Sequence, residues 1–451
     1  MQLPDALSYL LSLGHETLTI KLGLENTETL LAALGDPQKK FPAVQIAGTN
    51  GKGSTAAFLD SICRASGIRA GLFTSPHLVS ITERIKIGGG QISEDQFAHF
   101  TSIVRETAEQ LVAHGNLQTL PTFFEHLTAI ALLAFRDAKV ELAILETGLG
   151  GRLDSTTAAG ADIVAITPVA MDHQEYLGTT LREIAAEKAA IIRRGVTAII
   201  APQKKSAFEV IIRQCESVGV QPRLIESRLR SPGRRARYRE QFQDGLSEAT
   251  ADGRCTLTFE SDAASYSNVT PGLRGRHQSS NALTAIALAE ALRQHGFQIQ
   301  HAAIVRGIET AQHPGRLEIW EGAPRFLFDG AHNPAAARAL CEYTDEFVKG
   351  PIVMIFGAMR DKALKEMTTR LFSRADTVIL TPLDNPRAAS IDALVAAVPV
   401  DFDQGKILRA SNVDQSLQLA QTVTPTDGLV CVTGSLYLVG AAQHALRARA
   451  P

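Results

Sequence analysis

Eight consecutive residues, Ala47-Gly48-Thr49-Asn50-Gly51-Lys52-Gly53-Ser54, have the types and spacing needed to hold a polyphosphate. Glycines let backbone N–H groups close around phosphate oxygens, and a helix that starts at such a loop adds partial positive charge. Lys52 supplies a full charge to β- and γ-phosphates, and the Ser54 hydroxyl can ligate Mg²⁺. The loop departs from G-x-x-x-x-G-K-[ST] because Gly53 stands between Lys52 and Ser54. A chance Gly-Lys-Gly-Ser in a flexible linker would need no flanking elements. Here Ala43-Val44-Gln45-Ile46 reads as a strand, and Thr55 to Ile62 reads as a helix that stops at Gly67. Strand, loop and helix in that order make the chain a user of nucleotides.

Other chemistry-bearing residues stand at similar places. Glu146 ends an apolar strand and leads into Thr147-Gly148-Leu149-Gly150-Gly151-Arg152-Leu153-Asp154, which suits a carboxylate facing Mg²⁺ and phosphates. Asp172-His173 follows another strand; a lone His is usually structural, and in the same crevice as Glu146 it becomes a ligand or phosphate contact. Thr180-x-x-Glu183 reads as a capping box, and the helix after it puts Lys188 on the apolar stripe with Leu181, Ile184, Ala185 and Ile192. Such a lysine either snorkels, pairs with an acid, or loses its charge to burial and can then react with CO₂. Further on, Asp329 ends a strand before Gly330-Ala331-His332-Asn333-Pro334, with Asn333 as N-cap and Pro334 as first helical residue. Arg316, in His313-Pro314-Gly315-Arg316, is either a surface turn residue or a phosphate contact across a cleft.

The elements that must position these residues alternate along the chain. Strands are expected at Val44–Ala47, Ala70–Phe73, Glu141–Glu146, Asp162–Thr167 and Thr197–Ala201, with helices between them, including one opened by the capping box Ser93-x-x-Gln96. That alternation implies a parallel sheet with functional loops at its carboxyl edge. From about Gln203 to Pro271 the chain is more polar, and Thr256–Phe259 alternates like a strand of a small peripheral sheet. Six arginines between Arg228 and Arg239 offer either a solvated loop or a nucleic-acid patch, and no aromatic platform beyond Tyr238 accompanies them. A helix Asn281 to Gln294 and a hinge at Gly296–Gln300 precede a second series of strands, at Leu317–Trp320, Arg325–Asp329, Ile352–Phe356, Thr377–Thr381 and Leu429–Thr433. The expected class is α/β: a P-loop-containing parallel-sheet ATPase domain with a small peripheral β-sheet over 1–297, and a second, smaller Rossmann-like α/β domain over 298–451.

Composition supports this and excludes other classes. At 451 residues, with 45% hydrophobic and 20% charged residues, the chain has the make-up of a globular protein of two or three domains. A net charge of −2 gives no global pull toward nucleic acid or anionic membrane. The first sixteen residues lack a basic region before an apolar core, and the apolar run Leu127–Phe135 is too short to span a bilayer. Five scattered cysteines suit a reducing, cytoplasmic setting.

Taken together, the motifs resemble those of the folylpolyglutamate synthase family, in its bacterial bifunctional dihydrofolate synthase/folylpolyglutamate synthase form, within the Mur ligase superfamily. The resemblance runs over nearly the whole chain: Gly48–Ser54, Ser75-Pro76-His77-Leu78, Thr122-Phe123-Phe124-Glu125, Glu146–Asp154, Asp172-His173, Glu187-Lys188-Ala189, His277-Gln278 with Asn281, Pro314–Glu318, Asp329–Pro334 and Thr433–Tyr437. It implies that Gly48 to Ser54 hold ATP phosphates, and that Asn281, Arg316 and Asp329 contact ATP with His332 close by. It also implies that Ser75, Glu146 and His173, with Ser54, bind Mg²⁺ (two ions), and that Lys188 is carbamylated. Thr122, Phe123, Phe124, Glu125, Leu153, Asp154 and Ser155 match pterin-binding positions. Lys52, His173 and Lys188 are the implied catalytic set.

The implied reaction is ATP-dependent addition of L-glutamate to dihydropteroate and to reduced folates through an acyl phosphate, by a monomer acting on small molecules. Three departures stand out: Asp154-Ser155-Thr156-Thr157 for Asp-Ala-Thr-Asn, His313 for a common tryptophan, and Asp361-Lys362-Ala363 for Asp-Lys-Asp. Two other ligase readings use the same loop, a monofunctional folylpolyglutamate synthase and a cell-wall amino-acid ligase. A third reading, from another class, is an ATP-gated nucleic-acid binder.

Overall fold

The computed structural model describes residues 1–14, 23–226, 238–239, 249–261 and 263–449. Most of the basic cluster, Arg228 to Arg237, lies outside the described residues, and of Arg239 only the backbone strand Tyr238–Arg239 is described.

Ala43–Ala47 occupies the centre of the larger sheet because every one of its residues is buried. It pairs in parallel with Leu142–Glu146 on one side and Ile163–Ile166 on the other. Ala70–Phe73 and Thr197–Ile200 extend the parallel core outward. Short strands, mostly antiparallel, finish both ends and bring the described strands of this sheet to eleven. The expected peripheral sheet is thus continuous with the main one, through Arg223–Glu226 to Leu257–Ser261 and Ser265–Val269.

Alternation along the central strand sends Val44 and Ile46 to one face. There they meet Phe58 and Ile62 of the helix Lys52–Ala65, Ile286 of the helix His277–Gln294, and Ile304 and Ile308 of the helix His301–Thr310. Ala43 and Ala47 face the opposite layer, with Leu127, Ile130 and Phe135 of the helix Phe123–Asp137. Gln45 shares that second face and donates to the Thr156 and Thr157 hydroxyls at 3.0 and 2.8 Å. The expected change of domain after residue 297 therefore precedes a helix, His301–Thr310, that packs with the first lobe. Gly307 of that helix approaches the Ile62 backbone so closely that a Cβ would collide with it.

The second lobe is a six-stranded sheet in the order Glu318–Trp320, Arg325–Asp329, Leu429–Thr433, Ile352–Phe356, Thr377–Leu380, Ile407–Arg409. Only its first pair is antiparallel. Buried clusters lie on both faces, around Leu340, Met354 and Phe372 on one and Phe328, Ile355 and Leu438 on the other. Among the described residues no helix is long and apolar enough to cross a membrane.

Candidate active site

The register of the central strands fixes where the first lobe can do chemistry. Ile46 lies beside Glu146, and Ala47 beside Ile166, so the loops after all three strands leave the same edge. The helix Lys52–Ala65 begins directly at the glycine loop, with Gly51 at its N-cap in the left-handed region (φ 88°). That conformation favours glycine, and Gly51 is also pressed against the Asn281 carboxamide. Lys52 Nζ stands 4.0 Å from Glu146 Oε1 and 3.4 Å from the Thr49 carbonyl oxygen. Asn281 donates to Gln278 Oε1 (2.9 Å), and Gln278 reaches Ser54 Oγ at 3.4 Å.

Glu146 is buried, which raises its pKa; Lys52 and the Ser75 N–H, which donates to Oε2 at 3.2 Å, work the other way. Lys188 is 4% exposed and makes no hydrogen bond or ion pair among the described residues, so neither snorkelling nor pairing describes it. Burial, with the Lys52 charge second, pushes its amine down to about 7. The helix carrying it, Leu181–Ala189, opens on the expected Thr180–Glu183 capping box but ends before Ile192. His173 sits in the left-handed region (φ 49°) at the start of a short helix, and its buried Nδ1 has no hydrogen-bond partner. Burial drives its imidazole down to about 3, so the ring is neutral.

The second lobe brings its own carboxyl edge to the same space. Asp329 accepts from the Leu317 and Ala331 N–H groups at 2.9 and 3.0 Å, and this fixes the turn that carries Arg316. Burial raises the Asp329 carboxyl, opposed first by Arg316. Arg316 Nη1 comes close enough to Gly330 that a side chain there would displace it. Asn333 is the expected N-cap, accepting from the Ala336 N–H at 2.9 Å, with Pro334 opening the helix.

Asn333 also crosses between lobes, donating to Asn50 Oδ1 (2.9 Å) and to Asp172 Oδ2 (3.3 Å). Asp172 further meets Lys362 Nζ at 2.7 Å and His332 Nε2 at 3.5 Å. Burial alone would raise the Asp172 carboxyl. The His332 hydrogen bond and the Lys362 charge outweigh it and hold the group well below the usual carboxylate range.

One cavity of about 820 Å³ collects these groups. Gly48 to Ser54, Ser75, Glu146, His173, Lys188 and Asn281 line it from the first lobe, and Arg316, Asp329 and His332 from the second. Thr122, Phe124, Glu125 and Leu153 to Ser155 line it as well. Phe123 does not; it is buried, with the Arg84 guanidinium 5.7 Å from its ring centre. Both oxygens of Glu125 are engaged, one by the Thr122 N–H at 2.7 Å in a capping box and one by the Thr27 hydroxyl at 2.9 Å. Asp154 is similarly occupied, by the N–H groups of Leu149 and Thr156 and the Thr156 hydroxyl.

Gln278, Asn333, Asp172 and Lys362 stand in the sequence only as members of motifs, with no role of their own; the structure gives each a contact in or beside the site. Gln278 and Asn281 sit one turn apart on an otherwise alanine-rich buried helix, a polar pair that marks it in retrospect. Among the described residues no group of three or more His, Cys, Asp and Glu converges on a metal position. A divalent cation nevertheless fits the donors present. His173, whose buried Nδ1 has no partner, and Glu146, whose carboxylate is buried, both line the cavity with Ser54 and Ser75, and phosphate oxygens would complete the shell.

Residues 46–289 match the Mur ligase middle domain, and residues 315–436 match the Mur ligase glutamate ligase domain. A Bacillus subtilis dihydrofolate synthase/folylpolyglutamate synthase is 32% identical over 94% of this chain and 95% of its own. A Halobacterium salinarum relative, named a probable bifunctional folylpolyglutamate synthase/dihydropteroate synthase, is 35% identical over 98% of this chain. The chain spans about half of that protein's length (51%). Among solved structures, Escherichia coli FolC in complex with DHPP and ADP superposes with a TM-score of 0.85 at 30% identity, covering 100% of this chain and 98% of that one. A bifunctional folylpolyglutamate synthase/dihydrofolate synthase with Mn, AMPPNP and L-glutamate bound gives 0.83 at 28% identity, covering 99% and 98%.

Proposed function

The chain belongs to the dihydrofolate synthase/folylpolyglutamate synthase family of Mur ligases, ATP-dependent enzymes, and on that premise we propose how its cleft works. It joins L-glutamate to dihydropteroate and to reduced folates. The observation that carries this reading is the meeting of the two carboxyl edges: a phosphate loop with Glu146 and Lys188 on one side, Arg316 and His332 on the other, around a single cavity that continues to Phe124, Leu153 and Ser155.

The substrate carboxylate attacks the γ-phosphorus of ATP, giving an acyl phosphate and ADP. The glutamate amine then attacks the acyl carbon, forming the amide, expelling phosphate and releasing a proton. Lys52 and the loop N–H groups hold the phosphates and stabilise charge on the transferring group. Mg²⁺, held by Glu146, His173 and the Ser54 and Ser75 hydroxyls, would neutralise phosphate charge there. Arg316, its turn fixed by Asp329, meets the phosphates from the other lobe. The bridges from Asn50 and Asp172 to Asn333 and Lys362 keep the cleft shut, so that water does not reach the acyl phosphate.

Lys188 has an amine that is substantially neutral near pH 7. The neutral amine adds to CO₂ and loses one proton, giving a carbamate whose new negative charge would offset the nearby Lys52 ammonium. A ¹³C resonance of a carbamate in ¹³CO₂-equilibrated protein, absent from Lys188→Ala, checks this; its absence from the unaltered protein removes the modification. Phosphate release dependent on ATP and glutamate, compared on dihydropteroate and on tetrahydrofolate, tests the whole reading. Turnover of both supports bifunctionality, one alone makes the enzyme monofunctional, and turnover of only a nucleotide-linked muramyl acceptor overturns the folate assignment.

A further inference from the structure

His313 lies where the chain passes from the helix His301–Thr310 to the turn before Arg316. Its ring rests on the phosphate loop: a Cβ at Gly53 would come within 2.8 Å of His313 Cε1 and 3.2 Å of Glu146 Oε2. The additional glycine of this loop is therefore required by the imidazole above it as much as by any phosphate. His313 Nδ1 stands 3.2 Å from the Ser54 hydroxyl oxygen.

The rest of the hydrogen-bond chain settles which way that hydroxyl must point. Asn281 occupies the Gln278 carboxamide oxygen, so the Gln278 NH₂ group faces Ser54 and donates to it at 3.4 Å. A hydroxyl that accepts one bond retains a second lone pair and one proton to place. With Gln278 acting as a donor, His313 Nδ1 is the neighbour able to take that proton.

We propose that His313 is a positioning residue: its Nδ1 accepts the Ser54 hydroxyl proton and so turns the free lone pair of Ser54 Oγ toward a phosphate-bound divalent cation. The inference rests on the reading of Ser54 as a cation ligand, and the experiment separates the two. ADP binding is measured by calorimetry with and without Mg²⁺ for the unaltered protein, H313F, which keeps a flat ring without an acceptor, and H313N, which restores an acceptor. Mg²⁺ should strengthen ADP binding to the unaltered protein. H313F should lose about 10- to 100-fold of that enhancement, the usual effect of removing a residue that orients a ligand. Binding of ADP alone should stay nearly unchanged, and H313N should recover most of the loss.

H313F that keeps the full Mg²⁺ effect, or that loses ADP affinity equally with and without Mg²⁺, overturns the proposal. ADP binding by the unaltered protein that ignores Mg²⁺ instead removes the cation site itself. A second measurement needs no intact H313F. Long-range ¹H–¹⁵N spectra of the unaltered protein, with the His313 signals identified by their loss in H313N, should show the proton on Nε2; a proton on Nδ1 overturns the proposal.

Discussion

The two carboxyl edges that face each other across the cleft are built by different means. The first lobe makes its site from backbone: a glycine loop at a helix N-terminus, with Gly51 in a left-handed conformation and Gly53 in a space that admits no side chain. The second lobe makes its contribution from side chains set on short loops, with Asp329 bracing the turn of Arg316, and Asn333 and Lys362 reaching across. A backbone cradle is preorganised by the fold that surrounds it. A side chain that reaches over a gap is in place only when the lobes are closed. The first edge should therefore control phosphate chemistry, and the second should control whether the cleft is assembled.

The sharpest way to break that division is to remove the one full charge of the cradle. Lys52→Ala should lower turnover by about 10²- to 10³-fold, as loss of one preorganised donor to a reacting oxyanion does. The thermal midpoint without ligand should stay nearly unchanged, because Lys52 only touches Glu146 at the limit of an ion pair. An equal loss of stability and turnover would mean that the cradle is structural.

Lys188→Ala should abolish turnover, and added bicarbonate should not restore it; full activity would remove Lys188 from the mechanism. Its ionisation also gives a test with a definite sign. The amine titrates near 7 in the folded chain and in the usual, much higher lysine range when unfolded. Between those values the unfolded chain binds more protons, so this group's contribution to stability rises with pH. Below about 7 both states are protonated, and the fold carries the whole cost of a buried ammonium. In CO₂-free buffer, Lys188→Met should therefore raise the thermal midpoint more at pH 6 than at pH 9. The reverse order would show that the amine is charged at neutral pH and favourably paired.

The second edge is tested at the Lys362–Asp172 pair, whose side chains are 8% and 6% exposed and come from different lobes. Lys362→Met leaves a buried carboxylate with one cation fewer, a change that costs about 3–5 kcal/mol where nothing else compensates. His332 and Asn333 remain beside Asp172, so the lower end is expected. The loss should fall on the junction, so calorimetry should resolve separate transitions of the two lobes, with KM rising more than kcat falls. A single unshifted transition would show that the lobes are held by other contacts.

The same contrast explains what the sequence revealed. Ala70–Phe73, Arg325–Asp329, Ile352–Phe356 and Leu429–Thr433 lie where apolar patterning places them, and the Ser93 and Thr180 capping boxes open their helices. Those signals are local: a period, a cap, a glycine. Arg223–Glu226 escaped notice because a short strand with charged ends looks like a loop until its partner Thr197–Ile200 lies beside it. By resemblance Thr122-Phe123-Phe124-Glu125 is a substrate contact, and Thr-x-x-Glu is also a capping-box spacing. The structure spends both Glu125 oxygens on the protein. Lys188 was legible as an anomaly, a lysine on an apolar stripe. Asn50 with Asn333, 283 residues apart, and Asp172 with Lys362, 190 apart, were not legible, since no local pattern ties residues across a cleft.

The Asn50–Asn333 contact is where the two edges touch, so it gives the finest test of the comparison. Asn333 Nδ2 donates to Asn50 Oδ1 at 2.9 Å, and Asn50 Nδ2 returns toward Asn333 Oδ1 at 3.4 Å, while the same Oδ1 caps the helix Pro334–Phe347. Asn333→Ala would remove cap and bridge together and confuse them. Asn50→Ala removes only the bridge and leaves the cap. A single neutral hydrogen bond is worth about 1 kcal/mol, or roughly fivefold in an equilibrium. If the second edge works by assembling the cleft, Asn50→Ala should weaken closure by about that factor, visible as a raised KM for glutamate with ADP affinity little changed. If the Asn50 side chain instead contacts the phosphates itself, ADP affinity should fall and the glutamate KM should not move.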